Sequence, residues 1–229
     1  MADEKSARSR KNRKIAAIAA GVLVVGVGAT YTLASWNDSE WVWGGVDGGP
    51  ALGTSSFEVQ QNTTSPYTDT TGGWSDQEQN PGGALIFSPG ALDLTPGDTV
   101  YAPVALRTTA DSLAADAVLQ GAVPAAGSPA PQNDQDLFDA VRVSVYTSEG
   151  AAPATACTPG FDATGWTPVL NQQPLTALAT DSQSLAAAGG STQHYCFAIT
   201  LPSETPNVDL LQGKAISPAW EFRSVSVAP

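Results

Sequence analysis

The chain has 229 residues with 22 acidic and ten basic side chains, which gives a formal net charge of −12 at pH 7. Six of the basic residues precede residue 15, so residues 35–229 keep four basic against 20 acidic residues and a net charge of −16. A body this acidic repels the phosphate backbone of nucleic acids and excludes them as partners.

Residues 1–34 have the layout of a secretory signal peptide. A basic head is followed by the apolar run 15–33 and by small residues that predict a cut between Ala34 and Ser35. A signal peptidase is then the partner during export. Two alternatives stay open: a cut after Ala29, or retention of the run as a transmembrane helix, since its 19 residues are enough to span a bilayer. In each case the body is extracellular or displayed at the cell surface, and only this segment contacts the membrane.

Three tryptophans, Trp36, Trp41 and Trp43, lie in the predicted mature N-terminal segment 35–56. Leaving this much aromatic surface in water is unfavourable by about 25 cal/mol per Å² of apolar area. We therefore expect the rings to be buried, either on the chain's own domain or on a second copy of it. The glycines that follow form a flexible tether that permits both arrangements. The tryptophans are thus a candidate assembly segment, and a glycan-binding platform is the alternative use.

Residues 57–229 predict a single all-β domain, because prolines and glycines interrupt the chain at short intervals and no long helical period occurs. The clearest alternation of apolar and polar residues lies at 141–146 and 195–201. A long polar loop is predicted at 63–83. Short helices are indicated at 111–116 and 182–188. The further predicted strands are 57–60, 84–87, 91–94, 99–107, 117–123 and 219–227.

The sequence offers little for catalysis. His194 is the only histidine, it lies beside a predicted strand, and no nucleophile motif accompanies it. The run 133–139 has closely spaced oxygen ligands of the kind that calcium prefers, but it lacks the glycine and the terminal glutamate of an EF-hand. A solvated acidic turn is the other interpretation of that run. We predict no catalytic residue and no cofactor, and we assign no metal ligands.

Cys157 and Cys196 are the only cysteines, and both lie in the part predicted to be exported, where disulfides persist. A bridge between them would close a loop of about 40 residues and stabilise the fold by roughly 4 kcal/mol in the chain-entropy model. A metal-binding pair and a reactive thiol are the alternatives. Because neither cysteine has a second ligand nearby in the sequence, zinc binding is disfavoured. We predict the disulfide.

Four stretches carry a resemblance to a known family. Residues 26–45, GVGATYTLASWNDSEWVWGG, combine a glycine-rich apolar run, a small-residue cut and an aromatic and acidic element. Residues 92–100 contain a Pro-Gly-Asp turn leading into a strand, and 197–201 followed by 212–214 complete the pattern. The chain resembles the SipW-dependent exported proteins, in the actinobacterial branch described as alternate signal-mediated exported proteins. It is more distantly similar to the TasA/camelysin biofilm matrix proteins.

The resemblance implies a jelly-roll-like antiparallel β-sandwich preceded by a hydrophobic signal helix, a dedicated signal peptidase, and a matrix or fibre subunit as the product. In the fibre-forming relatives an N-terminal segment of one subunit adds a strand to the next, so the implied partner is a second copy of the chain. The sequence therefore favours a secreted or cell-surface structural protein that is not an enzyme. A secreted adhesin or glycan binder is the alternative, and an unrecognised hydrolase is the third.

Overall fold

The computed structural model describes residues 39–40, 42, 45–46, 49–50, 52–128, 133–151 and 156–227. The chain divides into two units, Met1–Gly53 and Thr54–Pro229. In the first unit, strands β1 (Gly45–Val46) and β2 (Gly49–Pro50) form a short antiparallel pair. No helix within the described ranges is long and apolar enough to cross a membrane. The predicted signal segment with its hydrophobic helix, the predicted cut and the candidate assembly segment all lie outside the described residues: 1–34, Ala34, Ser35, Trp36, Trp41 and Trp43.

The second unit consists mainly of antiparallel strands. They are β3 (Val59–Asn62), β4 (Thr99–Thr108), β5 (Ala114–Leu119), β6 (Val123–Pro124), β7 (Arg142–Glu149), β8 (Thr167–Pro174), β9 (Gln183–Leu185), β10 (Gln193–Thr200), β11 (Pro218–Ala219) and β12 (Phe222–Val227). One sheet has the order β3-β4-β10-β7-β8, a second has the order β12-β5-β9, and β11 pairs with β6. One short helix, α1 (Gln135–Ala140), precedes β7.

The core lies between the five-stranded and the three-stranded sheet. Side chains alternate along a strand, so one face of β10 presents Tyr195, Phe197 and Ile199 to this core. On the opposite sheet, the β12 residue Phe222 contacts Tyr195 with ring centroids 4.7 Å apart. The Phe197 ring also lies 5.0 Å from that of Trp220. The prediction of an all-β antiparallel sandwich is therefore confirmed.

The strands predicted at 99–107, 141–146, 195–201 and 219–227 correspond to β4, β7, β10 and the pair β11 and β12. The predicted helix at 111–116 is wrong, because this segment leads into β5. Alanines are good helix formers, yet Ala115 is buried in the core as part of β5. The helix predicted at 182–188 is also wrong, since β9 and a single 3₁₀ turn (Ala187–Gly189) replace it.

Two other predicted strands, 84–87 and 91–94, are not strands in the structure. Some of their apolar side chains pack on the core, including Phe87 and Leu94, but the backbone makes no ladder. The apolar residues there therefore indicate partial burial and not strand pairing. Strand β8 was not expected from the sequence, because six of its eight residues are exposed and give no apolar alternation.

Pro103 lies within β4, an interior strand of the five-stranded sheet. A proline in such a strand normally removes a ladder hydrogen bond. Strand β3 pairs with β4 only from Ala105 to Thr108, so it ends before it reaches Pro103. The backbone N–H and C=O of Tyr101 point to the same side of β4 as the backbone groups of Pro103. They bond to the hydroxyl and to the backbone N–H of Ser88, and not to a neighbouring strand. The proline therefore occupies a position at which no strand needs its missing N–H.

Two loops of the sandwich approach each other closely at Gly121. A Cβ atom at this position would overlap the carbonyl oxygen of Thr176, a rigid backbone atom. We expect Gly121→Ala to lower the free energy of unfolding by about 2 kcal/mol or more, measured by urea titration. Gly72→Ala is the matched control, since nothing lies within 4 Å of its Cβ position. Equal stabilities for both variants would contradict the close approach.

Candidate functional site

The candidate site lies on the outer face of the five-stranded sheet, the face turned away from the three-stranded sheet. Directly opposed residues of neighbouring strands share a face, so Cys196 of β10 lies beside Pro103 of β4 and Tyr146 of β7. The outer face would be solvated in an ordinary two-layer sandwich. Here the whole of β10 except Thr200 is buried, so this face has its own cover.

A disulfide attaches one part of that cover to the sheet. Cys157 and Cys196 are bonded with their Cα atoms 5.4 Å apart and 39 positions apart in sequence. The predicted disulfide is confirmed, and both alternatives for these cysteines, a metal pair and a reactive thiol, are excluded because both sulfur atoms are used. The bond holds the loop of residues 156–166 on the outer face.

Four aromatic rings on this loop and the sheet form a continuous cluster, which we call the outer aromatic cluster. The ring of Phe161 lies 5.9 Å from that of Tyr101, 5.2 Å from that of Tyr146 and 5.5 Å from that of Trp166. These are the separations at which aromatic pairs attract beyond simple burial. All four residues remain partly exposed, so the cluster is accessible from solvent.

The predicted polar loop 63–83 forms the other part of the cover. Fully buried Asn62 organises its start: its Nδ2 donates to the carbonyl of Thr68, and its Oδ1 accepts from the backbone N–H of Thr64. Trp74 anchors its middle, with the Arg107 guanidinium 4.1 Å from its ring centre and its indole N–H donating to Asp69. This stretch has little regular structure, yet specific contacts fix it to β3 and β4.

His194 lies beneath this cover and is only 4% exposed. Its Nε2 is 3.2 Å from the carbonyl oxygen of Gly150, and the ring of Tyr67 meets its own edge-on at 4.7 Å. Burial lowers the pKa of His194 because it penalises the imidazolium form. The hydrogen bond to Gly150 and the charge of Asp69 oppose this shift with smaller effects. These contacts are those of a neutral histidine with a fixed orientation.

The acidic run 133–139 folds as the start of α1. Asp134 is the N-cap, since its Oδ1 accepts from the backbone N–H of Leu137. Its Oδ2 lies 2.7 Å from Nζ of Lys214, and the bond to this lysine together with that to Leu137 lowers the pKa of the aspartate. Within the described residues, no three His, Cys, Asp or Glu side chains are grouped as a metal site would need. Asp134 thus serves the helix and an ion pair.

A groove of about 520 Å³ runs along the far side of α1, where Asp136, Asp139 and Glu204 contribute acidic groups. Arg142 is the cation in this groove, and its Nη1 donates to the carbonyls of Asp139 and Val141 at the end of α1. The arginine therefore caps the helix. Among the described residues that line the groove, no buried polar side-chain atom lacks a hydrogen-bond partner.

No protein-family model matches the chain, and no curated protein is significantly similar to it. The resemblance drawn from residues 26–45 therefore remains an interpretation of the sequence.

The outer aromatic cluster was not identified from the sequence. One signal for it does exist: Tyr146 alternates with Val143 and Val145, so it occupies the side of β7 that the pattern assigns to solvent. A large aromatic residue on that side indicates a second packing surface. The partner loop is not visible in any local pattern, because the disulfide that brings it in joins residues 39 positions apart.

We expect removal of the disulfide to destabilise the domain strongly. The double variant Cys157→Ala with Cys196→Ala should lose about 4 kcal/mol of unfolding free energy, because the unfolded chain regains the freedom of a loop of about 40 residues. Urea titration without reductant measures this loss. Adding reductant should weaken the unmodified protein and leave the double variant unchanged. A reductant effect on both proteins would contradict the assignment.

His194 should make the protein less stable in mild acid. Its folded pKa lies below the usual 6.5, so as pH falls through about 6.5 the unfolded chain binds the proton first and stability is lost. His194→Gln cannot titrate and keeps an N–H donor for Gly150. The stability difference between pH 7.5 and pH 5.5 should therefore be smaller in this variant. Because the chain has one histidine, no other imidazole contributes. Identical pH dependence in both proteins would refute the buried neutral state.

Proposed function

We propose that the protein is an exported, non-enzymatic structural protein of the cell surface, which assembles by accepting a strand at the free edge of β12. Support for export comes from the basic and apolar segment 1–34. The Cys157–Cys196 disulfide is consistent with an extracellular environment. The observation that carries the assembly proposal is a contrast between β12 and the other sheet edges.

Three of the four edges of the two main sheets are protected. Beside β3, Gln61 and Ser75 exchange two backbone hydrogen bonds of 2.9 Å, so the loop 63–83 occupies that edge. Strand β8 carries Pro168 and Pro174, and its register with β7 is irregular. Strand β9 has only three residues, and a very short edge strand offers little backbone for another chain to pair with. Covering loops, prolines and bulges are devices that keep a sheet edge from pairing with another chain.

The fourth edge, β12, has none of these devices. Its six residues pair in unbroken register with β5 from Phe222 to Val227, with no proline and no bulge. Among the described residues no strand pairs with its second side. Two of the side chains that point away from the core are apolar, and Val225 is 64% exposed. A regular, unpaired strand with exposed valines presents free N–H and C=O groups, which is the surface that strand addition uses.

The donor that fits this proposal is the mature N-terminal segment of another copy, residues 35–45, because it carries the candidate assembly tryptophans and precedes a glycine-rich tether. A donor that leaves its own chain and joins the next gives a head-to-tail contact, which grows a filament unless the contacts close into a ring. Retention of the segment 15–33 in the membrane would attach the same assembly to the cell surface.

The assembly test compares two lysine variants of residues 35–229. Val225→Lys places a charge on the β12 edge, and Leu92→Lys adds the same charge at a position that is 93% exposed, far along the chain on a turn. We expect Val225→Lys to raise the concentration needed for assembly at least tenfold and Leu92→Lys to leave it unchanged. Sedimentation and electron microscopy with negative stain provide the measurement.

A third protein, residues 46–229, lacks the donor and should remain folded and monomeric. Two results oppose the proposal. In the first, the unmodified residues 35–229 stay monomeric at every concentration. In the second, Val225→Lys assembles at the same concentration as the unmodified protein.

A further inference from the structure

One short piece of the outer cover, residues 64–70, closes over His194, and we call it the Tyr67 segment. The ring of Tyr67 meets the imidazole edge-on with ring centroids 4.7 Å apart, and His194 is only 4% exposed. The segment is a thin cover, because Pro66 and Thr68 on either side of Tyr67 are exposed to solvent. Movement of this segment would therefore bring water to the imidazole.

Hydrogen bonds hold the Tyr67 segment at both ends. At its start, Asn62 donates from Nδ2 to the carbonyl of Thr68 at 3.0 Å and accepts at Oδ1 from the backbone N–H of Thr64 at 3.0 Å. At its far end, Asp69 accepts from the indole N–H of Trp74 at 2.9 Å. Water can replace the partner in each of these bonds. A segment held in this way opens at a lower free energy than the strands beneath it.

The chain on both sides of the segment is fixed to the sheet. Gln61 of β3 and Ser75 exchange two backbone hydrogen bonds of 2.9 Å, so residues 64–70 can move outwards while their flanks stay in place. A cavity of about 120 Å³ borders the side chains of both Tyr67 and His194. The ring of Tyr67 is therefore not enclosed by protein atoms on every side.

We propose that the Tyr67 segment is an acid-sensitive cover, which lies over His194 while the imidazole is neutral and moves away when the imidazole takes up a proton. Burial deprives an imidazolium of its hydration and is the largest cause of the lowered pKa of His194. Opening of the segment restores this hydration. Since the open form binds the proton more strongly than the closed form, acid shifts the population towards the open form. This movement does not depend on assembly through β12.

The charged groups near His194 weaken this effect without cancelling it. Burial outweighs two opposing influences on the pKa of His194, the hydrogen bond at Nε2 and the charge of Asp69. Arg107 of β4 lies 3.9 Å from the Asp69 carboxylate and partly offsets its charge. Burial and the charge of Asp69 both raise the pKa of the Tyr67 hydroxyl, so Tyr67 stays neutral in mild acid.

The other elements packed on His194 contribute no charge among their described residues. The residue directly opposite His194 on β7 is Ser148. The loop of residues 156–166 contributes only uncharged side chains to the shared cavity, including those of Thr158 and Trp166. Mild acid therefore changes the charge of one group beneath this cover, the imidazole.

The first experiment follows the imidazole NMR signals of the full chain, kept in solution by a mild detergent and purified without a histidine tag. Because the chain has one histidine, these signals need no assignment. Tyr67→Ala removes the ring over His194 and should raise the pKa of His194 towards its ordinary 6.5. Tyr67→Phe keeps the ring and should titrate as the unmodified protein does.

The second experiment measures opening directly in the unmodified protein, by amide hydrogen exchange at pH 7.5 and pH 5.5, corrected for the intrinsic effect of pH on exchange. The protection factors of Thr64 and Thr68 should fall severalfold at pH 5.5, and by about tenfold at most, since the open form titrates near 6.5. His194→Gln cannot titrate and should keep the same protection at both pH values.

Urea distinguishes opening of the segment from unfolding of the whole domain. Exchange at Thr64 and Thr68 should be insensitive to 1 M urea, because opening exposes little surface. The amides of β10 should be better protected and should exchange faster in urea, because they exchange by global unfolding.

Four results would overturn the proposal. In the exchange experiment they are protection of Thr64 and Thr68 that is independent of pH, an equal loss of protection in His194→Gln, and the same urea dependence in the segment as in β10. In the titration, the fourth is an unchanged pKa of His194 in Tyr67→Ala.

Discussion

Strand β10 is buried on both faces, and this constraint shapes the rest of the second unit. A strand in a two-layer sandwich needs a core on one side only. On its inner side β10 contributes Tyr195 and Phe197 to the contact between the sheets, and on its outer side His194 and Cys196 are equally buried. The second burial requires a further layer, and the chain provides it from two long loops instead of from a sheet or a helix.

The disulfide allows the loop of residues 156–166 to cover the outer face of β10 without regular structure. A loop without regular structure loses conformational entropy when it is held on a sheet, at about 1–2 kcal/mol per ordered residue. The Cys157–Cys196 bond restricts the unfolded chain as well, so less entropy remains to be lost on folding. Ring contacts around Phe161 then stabilise the arrangement locally. The loop 63–83 has no covalent link, and Asn62 and Trp74 hold it through hydrogen bonds and a cation–π contact instead.

Much of the inner half of this architecture could be predicted from the sequence, whereas in the outer cover only the disulfide and the polar loop 63–83 could. Alternation at β7 and β10 identifies strands because their inner faces follow a period of two. The disulfide was predictable because the sequence has only two cysteines and both lie in the part predicted to be exported. The positions of Trp166 and Phe161 depend on contacts between residues far apart in sequence, which local patterns do not encode. For the same reason the alanines at 111–116 suggested a helix, although Ala115 is buried in β5.

Assembly through β12 would use only one surface of the second unit. Strand addition at β12 would extend the three-stranded sheet, whereas the outer aromatic cluster lies on the outer face of the other sheet. A chain assembled in this way would keep that cluster uncovered. The net negative charge of residues 35–229 also limits how copies can associate, because like charges on neighbouring copies repel within a Debye length of about 10 Å at 0.1 M salt. Association is then favoured where backbone hydrogen bonds compensate the repulsion, which is along a strand edge, and disfavoured face to face.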